Sequence, residues 1–274
     1  MTLGEFIACG RQAEVFAWND GSEPPRVIKL FLEQWGRQTV QWELDVARAV
    51  SASLSSAPRV FGDIVECDGR LGILYERVDG VPMLDVLSAK PWRVRSLGRR
   101  LARAQAQLHQ SRPQDVPRLK DRLARKIGRT ELLSGDEQAG CMRLLESMPD
   151  GDRLYHGDFH PGNILLRPDD QDSAVVIDWP NSAVGDPLAD VAQTRMIIGI
   201  GWRQLSRRKD RILARLLTGY LNRLYTGHYL RLTGADRSGV RRWNTVIAAA
   251  RLDDNIPQEV PYLREMVKAG LRQA

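Results

Sequence analysis

The sequence predicts an α+β protein in two lobes, a small antiparallel β-sheet with one helix followed by a larger, mainly helical lobe. Three observations carry this. The first 78 residues are short apolar or alternating runs cut by turns, helical stripes dominate after Gly80, and one pair of strand-like runs near 164–177 interrupts them. The lobes are drawn at 1–78 and 79–274, with the break at 77–80.

Residues 5–9, 13–18 and 26–31 read as strands, separated by Gly10 and by the turn-rich run Asn19-Asp20-Gly21-Ser22-Glu23-Pro24-Pro25. A helix is expected over 38–51, with Val40, Leu44, Ala47 and Val50 on one stripe. Strands over 60–67 and 71–78 follow Pro58, joined by Asp68-Gly69, a two-residue hairpin signal. Beyond Asp79-Gly80-Val81-Pro82, the stripe Leu97, Leu101, Ala104 and Leu108 marks a helix closing near His109. Helices are expected over 118–133 and 138–147. Another begins at Asp186-Pro187, an N-cap acid before a first-turn proline, and more fill 204–232, 240–252 and 262–271.

With 43% hydrophobic and 27% charged residues, the 274-residue chain has the composition of an ordinary globular protein. Its start lacks the basic and apolar regions of a signal peptide, and its longest aliphatic patch, 196–202, is too short to span a bilayer. Cys9, Cys67 and Cys141 are scattered, with neither metal-ligand spacing nor a disulfide framework. A cytoplasmic protein without a membrane partner is expected. The net charge of +6 is concentrated in 195–251, where Arg203, Arg207, Arg208, Lys209, Arg211, Arg215 and others face only Asp210 and Asp236. This is either an anion-attracting surface or a solvated helix face whose arginine stems cover apolar groups. No nucleic-acid-binding signature accompanies it, so nucleic acid is not an expected partner.

Function is written most clearly in His156-Gly157-Asp158-Phe159-His160-Pro161-Gly162-Asn163-Ile164-Leu165 and in Val175-Val176-Ile177-Asp178-Trp179. Phosphoryl transfer from a magnesium nucleotide needs a carboxylate to orient the accepting hydroxyl, and oxygen ligands for the metal. Asp158, Asn163 five residues on, and Asp178 after an apolar strand supply those types in that order. Two carboxyl groups and an amide brought to one site suit Mg²⁺. His156 and His160 lack the helix that would align both rings on a metal. No G-x-x-x-x-G-K-[ST] occurs, which disfavours a Walker-type nucleotide site.

The runs H-G-D-F-H-P-G-N-I-L, I-D-W and G-D-P-L-A-D resemble the signature of aminoglycoside phosphotransferases and choline kinase-like enzymes, from about Gly4 to Asp190. That family has the bilobal protein-kinase-like fold and phosphorylates hydroxyl groups of small molecules. The resemblance implies that Asp158 is the catalytic base or hydroxyl-orienting residue, and that Asn163 and Asp178 are magnesium ligands. Lys29, in Arg26-Val27-Ile28-Lys29, resembles the V-A-I-K lysine that reaches the nucleotide phosphates. Glu43, on the edge of the sheet-facing helix stripe, is its expected partner acid. Gly10 would open a phosphate-covering turn, and the backbone of Glu76 and Val78 would pair with the base of ATP or GTP. His156 would be buried scaffold of the catalytic loop, His160 would be placed to approach the acceptor or the γ-phosphate, and Asp186 and Asp190 would support the loop.

Two departures narrow the class. Only 179–185 separates Asp178 from the next helix, too little for a peptide-docking activation loop, and Gly157 replaces the Arg of H-R-D. The expectation is a Mg²⁺- and ATP- or GTP-dependent phosphotransferase acting on a small-molecule hydroxyl. An aminoglycoside-resistance kinase and a catalytically silent pseudokinase are the alternatives. For the acceptor, Asp253, Asp254 and Glu259 would form an acidic rim, and Trp202, Tyr220, Tyr225, Tyr229 and Trp243 an aromatic cage for an amine; otherwise these aromatics are core. The arginine-rich helices favour a neutral or anionic acceptor.

Overall fold

A computed structural model describes residues 2–167, 174–205 and 207–273. In chain order come strands β1 (Thr2–Cys9), β2 (Ala13–Asn19) and β3 (Arg26–Phe31), helix α1 (Arg37–Ser53), and strands β4 (Val60–Cys67), β5 (Arg70–Glu76) and β6 (Val81–Pro82). Helices α2 (Met83–Ala89), α3 (Val94–Leu108), α4 (Leu119–Arg129) and α5 (Gly135–Ser147) follow, then strands β7 (Arg153–Tyr155), β8 (Ile164–Leu166), β9 (Ala174–Val176) and β10 (Ala183–Gly185). The chain closes with α6 (Pro187–Ile200), α7 (Arg208–Thr233), α8 (Arg237–Arg242), α9 (Asn244–Arg251) and α10 (Val260–Leu271). By contacts it forms two compact units. One holds Met1–Pro82, Pro113–Val116 and Ile164–Pro180; the other holds Met83–Arg112, Pro117–Asn163 and Asn181–Ala274. Asp178 thus falls in the first unit although it comes after residue 78 in sequence.

The first unit is built on an antiparallel sheet of order β1-β2-β3-β5-β4. Asp68 and Gly69 both adopt positive φ, 50° and 73°, the geometry of the tight hairpin that joins β4 to β5. Period-two alternation divides the strands between two faces. Phe31 and Ile73 pack under Val40 and Leu44 of α1, while Trp18, Ile28, Leu30 and Leu74 pack on the opposite face. Lys29 shares the α1 face with Phe31, its ammonium 5.7 Å from the Phe31 ring centre. A second small sheet, β6-β8-β9, leads into Asp178 two residues past β9.

In the second unit α3 lies along α7, and Gly98 brings the two backbones close: a Cβ there would sit 3.2 Å from Leu224. The segment Val246–Ala250 of α9 is buried throughout. Several helix bounds differ from the sequence reading for identifiable reasons. The helix expected over 204–232 begins at Arg208, after a 3₁₀ turn at Gly201–Gln204 and extended Arg207. That expected over 240–252 is divided between α8 and α9 at Trp243, whose buried ring donates to Asp186 Oδ2 at 2.8 Å. That expected over 118–133 stops at Arg129, where Thr130 turns extended. Helix α2 and the short pair β7–β10 carry too little periodicity to be read beforehand. Among the described residues no helix is long and apolar enough to cross a membrane.

Helix α5 starts three residues earlier than its apolar stripe suggests, because Ser134 and Glu137 form a capping box: Glu137 N–H donates to Ser134 Oγ at 3.2 Å, and Ser134 N–H to Glu137 Oε2 at 2.9 Å. Replacing Ser134 by Ala should therefore cost about 1 kcal/mol in urea unfolding, with an unchanged denaturant slope. An unshifted midpoint would show that the box contributes nothing.

Candidate active site

The first unit joins three residues remote in sequence. Lys29 Nζ donates to Glu43 Oε1 at 2.6 Å and to Asp178 Oδ1 at 2.8 Å, so one ammonium is shared by two carboxylates. Tyr75 adds a hydroxyl donating to the same Glu43 oxygen at 3.3 Å. Burial pulls the Lys29 ammonium down, but Asp178 and then Glu43 outweigh it and raise it above the ordinary lysine value. Burial is also the main influence on Glu43, and Asp178 adds to it; Lys29 and Tyr75 oppose them, yet the carboxyl ends above its usual range. These directions agree once charges are counted: two acids and one base leave an excess negative charge, felt most by the deeper acid. Asp178 is two-fifths exposed and has φ 69°, a left-handed conformation that aspartate tolerates better than most residues.

The second unit holds the Asp158 loop. Asp158 N–H donates to His156 Nδ1 at 3.1 Å, and Asn163 Nδ2 donates both to the Asp158 carbonyl, 2.9 Å, and to its Oδ2, 3.2 Å. The Asn163 amide nitrogen is thus committed to the loop, and the amide oxygen is the atom able to ligate a cation. Gly162 N–H donates to His160 Nδ1 at 3.0 Å, which leaves Nε2 on the other side of the ring, 3.6 Å from Asp158 Oδ2. That separation is electrostatic contact and not a hydrogen bond. Burial would raise the Asp158 carboxyl, but His160, His156 and Arg251 together hold it down at about 2. A carboxylate held ionised in this way can accept a hydrogen bond from a hydroxyl but is a weak base.

Beneath the loop lies a network that sequence reading found only in part. Gly157 has φ 79°, and a Cβ there would stand 2.6 Å from the Asn181 carbonyl, so glycine is required at the position where protein kinases carry arginine. Its N–H donates to wholly buried Asp190 Oδ1 at 2.9 Å, and its carbonyl accepts from Gln193 Nε2. The other Asp190 oxygen accepts from Gln105 Nε2 at 2.9 Å and His109 Nε2 at 3.1 Å, with Tyr229 hydroxyl 2.7 Å from His109 Nδ1. Burial would raise Asp190, but His109 and the Gly157 amide turn the balance downward. Asp186 serves as N-cap, accepting from Leu188 N–H at 2.9 Å. Gln105 had a legible signal, a polar residue four after Leu101 on the buried face of α3, and Tyr75 shares the α1-facing side of β5 with Ile73.

Gly10 N–H donates to the Ala13 carbonyl at 2.8 Å, so this amide closes its own turn. Glu76 N–H donates to Arg59 O and Arg77 N–H to Pro25 O, both at 2.8 Å. The aromatic cage is not formed. Tyr225, Tyr229 and Trp243 are core residues, Tyr220 hydroxyl accepts from Arg95, and the Trp202 ring is faced by Arg203, Arg211 and Arg215 at 4.7–5.6 Å. Nor are the rim acids free: Asp253 pairs with Arg129, Asp254 with Lys126, and Glu259 with Arg251. For a metal, the Asp178 carboxylate of the first unit and the Asn163 amide oxygen of the second are each, taken separately, hard donors of the kind Mg²⁺ takes. Among the described residues no group of three or more His, Cys, Asp or Glu could hold a metal ion.

The architecture is that of the protein-kinase-like α+β fold. A thermostable mutant of aminoglycoside phosphotransferase APH(4)-Ia superposes with a TM-score of 0.63 at 17% identity, covering 99% of this chain and 95% of that one. Plasmodium vivax ethanolamine kinase gives 0.54 at 14% identity, covering 97% and 81%. Residues 4–235 match the model of the phosphotransferase enzyme family, and the chain belongs to that family. Acyl-CoA dehydrogenase family member 11 of Pongo abelii and of Homo sapiens is 40% identical over 52 residues, 18% of this chain; the match spans 7% of that protein's length.

Removing the shared cation exposes the charge imbalance. Lys29→Met should destabilise the protein by about 3 kcal/mol at pH 8, as breaking a buried pair does. Glu43, already raised, then takes up a proton more readily in the folded state, so the loss should shrink as pH falls towards 5. A penalty independent of pH, measured by urea unfolding at both values, would refute the shared-cation account. Asp190→Asn should cost about 3–5 kcal/mol by the same measurement, since it removes the charge that His109, Gln105 and the Gly157 amide all address. A loss under about 1 kcal/mol, the worth of one ordinary hydrogen bond, would contradict that role.

Proposed function

We propose that this protein is a kinase that transfers the γ-phosphate of ATP or GTP, with Mg²⁺, to the hydroxyl of a small cytoplasmic metabolite. The observation that carries the reading is Lys29 held between Glu43 and Asp178, which fixes a cation for the nucleotide phosphates beside a carboxylate fit for a metal. Residues 1–78 would act as the nucleotide lobe and 79–274 as the catalytic and acceptor lobe. Glu76 would offer its carbonyl and Val78 its backbone to the base, since the Glu76 amide is engaged with Arg59. Gly10, its amide likewise engaged, would shape the turn over the phosphates and leave other groups to bind them.

In this mechanism Asp158 aligns the acceptor hydroxyl and receives its proton late, when bond formation to phosphorus has made that proton acidic. Asn163 fixes the Asp158 carboxylate through its amide nitrogen and turns its oxygen to the metal. Lys29 neutralises charge passing to the leaving diphosphate, and Glu43 with Tyr75 keeps the ammonium in place. Bound Mg²⁺ would supply charge stabilisation across the phosphates, held by Asp178 and Asn163. A silent pseudokinase is disfavoured because Lys29, Asp158, Asn163 and Asp178 are all present. Aminoglycosides are the acceptors named for some structural neighbours, but the acids that would receive a polycation here are already paired.

Asp158→Asn should lower kcat by about 10²–10⁴-fold while leaving the Kd for Mg-nucleotide nearly unchanged, measured by nucleoside diphosphate release and by calorimetry. Wild-type turnover in that variant would remove Asp158 from the chemistry.

A further inference from the structure

We infer that the phosphate acceptor carries an oxyanion, a carboxylate or phosphate, which Arg122 receives in a pocket beside the catalytic loop. The inference rests on the kinase reading and deepens it. The pocket lining includes Arg122, Lys126, Gly157 and Arg251 together with apolar Leu123 and Ala250, so its wall includes the backbone of the residue before Asp158. Arg122, Lys126 and Arg251 are thus three cationic residues of one wall, adjacent in sequence or space to the loop that carries Asp158.

Their counter-charges are unequal. Lys126 pairs with Asp254 at 2.6 Å; Arg251 pairs with Glu259 at 2.7 Å and lies 3.5 Å from Asp254. Asp253 is taken by Arg129. Arg122 has no carboxylate at ion-pair distance among the described residues; its partner is the Asn181 amide oxygen at 2.5 Å. Burial pulls its guanidinium down, opposed by Tyr155 and Asp254, while Arg125 and Arg129 add to the downward push. Arg122 is only part-buried, but a guanidinium beside other cations with no carboxylate of its own is stabilised when an anion completes it. Its planar fork matches a carboxylate or phosphate, whereas a polyamine would meet like charge. The acceptor class that fits is a hydroxy acid or a phosphorylated alcohol.

The test compares wild type with Arg122→Gln and Arg122→Lys. Nucleoside diphosphate release from Mg-ATP is followed with hydroxy acids and their primary amides, sugar phosphates and their parent sugars, and an aminoglycoside. Acids or phosphates should exceed their neutral counterparts at least ~10-fold in kcat/KM, as loss of a charge-assisted hydrogen bond predicts. Arg122→Gln should raise their KM about 10–100-fold at nearly constant kcat and Mg-ATP affinity, with Arg122→Lys between the two. Better turnover of amides or the aminoglycoside, or an unchanged KM, would overturn the proposal. Calorimetric titration with succinate and with inorganic phosphate decides the case independently of turnover. Binding lost in Arg122→Gln supports the pocket and shows which oxyanion it prefers; no binding, or equal binding in both proteins, overturns it. Failure of Mg-ATP to bind would instead remove the nucleotide reading, and the oxyanion titrations would still decide the pocket.

Discussion

A single buried carboxylate governs the geometry of the catalytic loop. Asp190 has lost all contact with water, and four groups replace it: the Gly157 amide, Gln105, His109 and, through His109, the Tyr229 hydroxyl. Helices α3, α6 and α7 each contribute to that arrangement, so the loop is referenced to the core of its unit and not to the surface. Fully satisfied networks of this kind specify one arrangement, because every alternative leaves a buried polar group without a partner. Asp158 inherits its position from this anchor, one peptide bond beyond Gly157.

The Lys29 cluster follows a different principle. Its three charges do not cancel, and the surplus negative charge sits where the nucleotide reading places a metal. Helix α1 enters this balance through Glu43, which the helical period turns toward the sheet between Val40 and Ala47. Tyr75 makes the same acid answer to strand β5. Strand alternation and helix period thus meet at one carboxyl group, which ties the packing of the small sheet to the chemistry it supports.

Much of this was legible in the sequence because it depends on local pattern. Period-two runs, the Asp68-Gly69 turn and the apolar stripe of α1 are properties of neighbouring residues, and each appears in the structure at nearly its expected bounds. The pairings of Lys29 with Glu43 and of Asn163 with Asp158 join groups that the motif order had singled out. What escaped was set by tertiary contact. Trp243 divides a continuous helical pattern because its indole is drawn to Asp186, and β7 and β10 are strands only because they find each other. The rim acids read as available because a sequence does not display their partners; Arg129 and Lys126 are more than 120 residues away from theirs.

The backbone at Asp178 bears on how its side chain can be questioned. At φ 69° it occupies a region that few residues share with aspartate, and asparagine is one of them. Most replacements at this position would alter both the charge and the path of the chain, and their effects would be ambiguous. The amide analogue alone subtracts the charge while respecting the turn. The left-handed kink therefore makes this carboxylate one whose electrical contribution is separable from its shape.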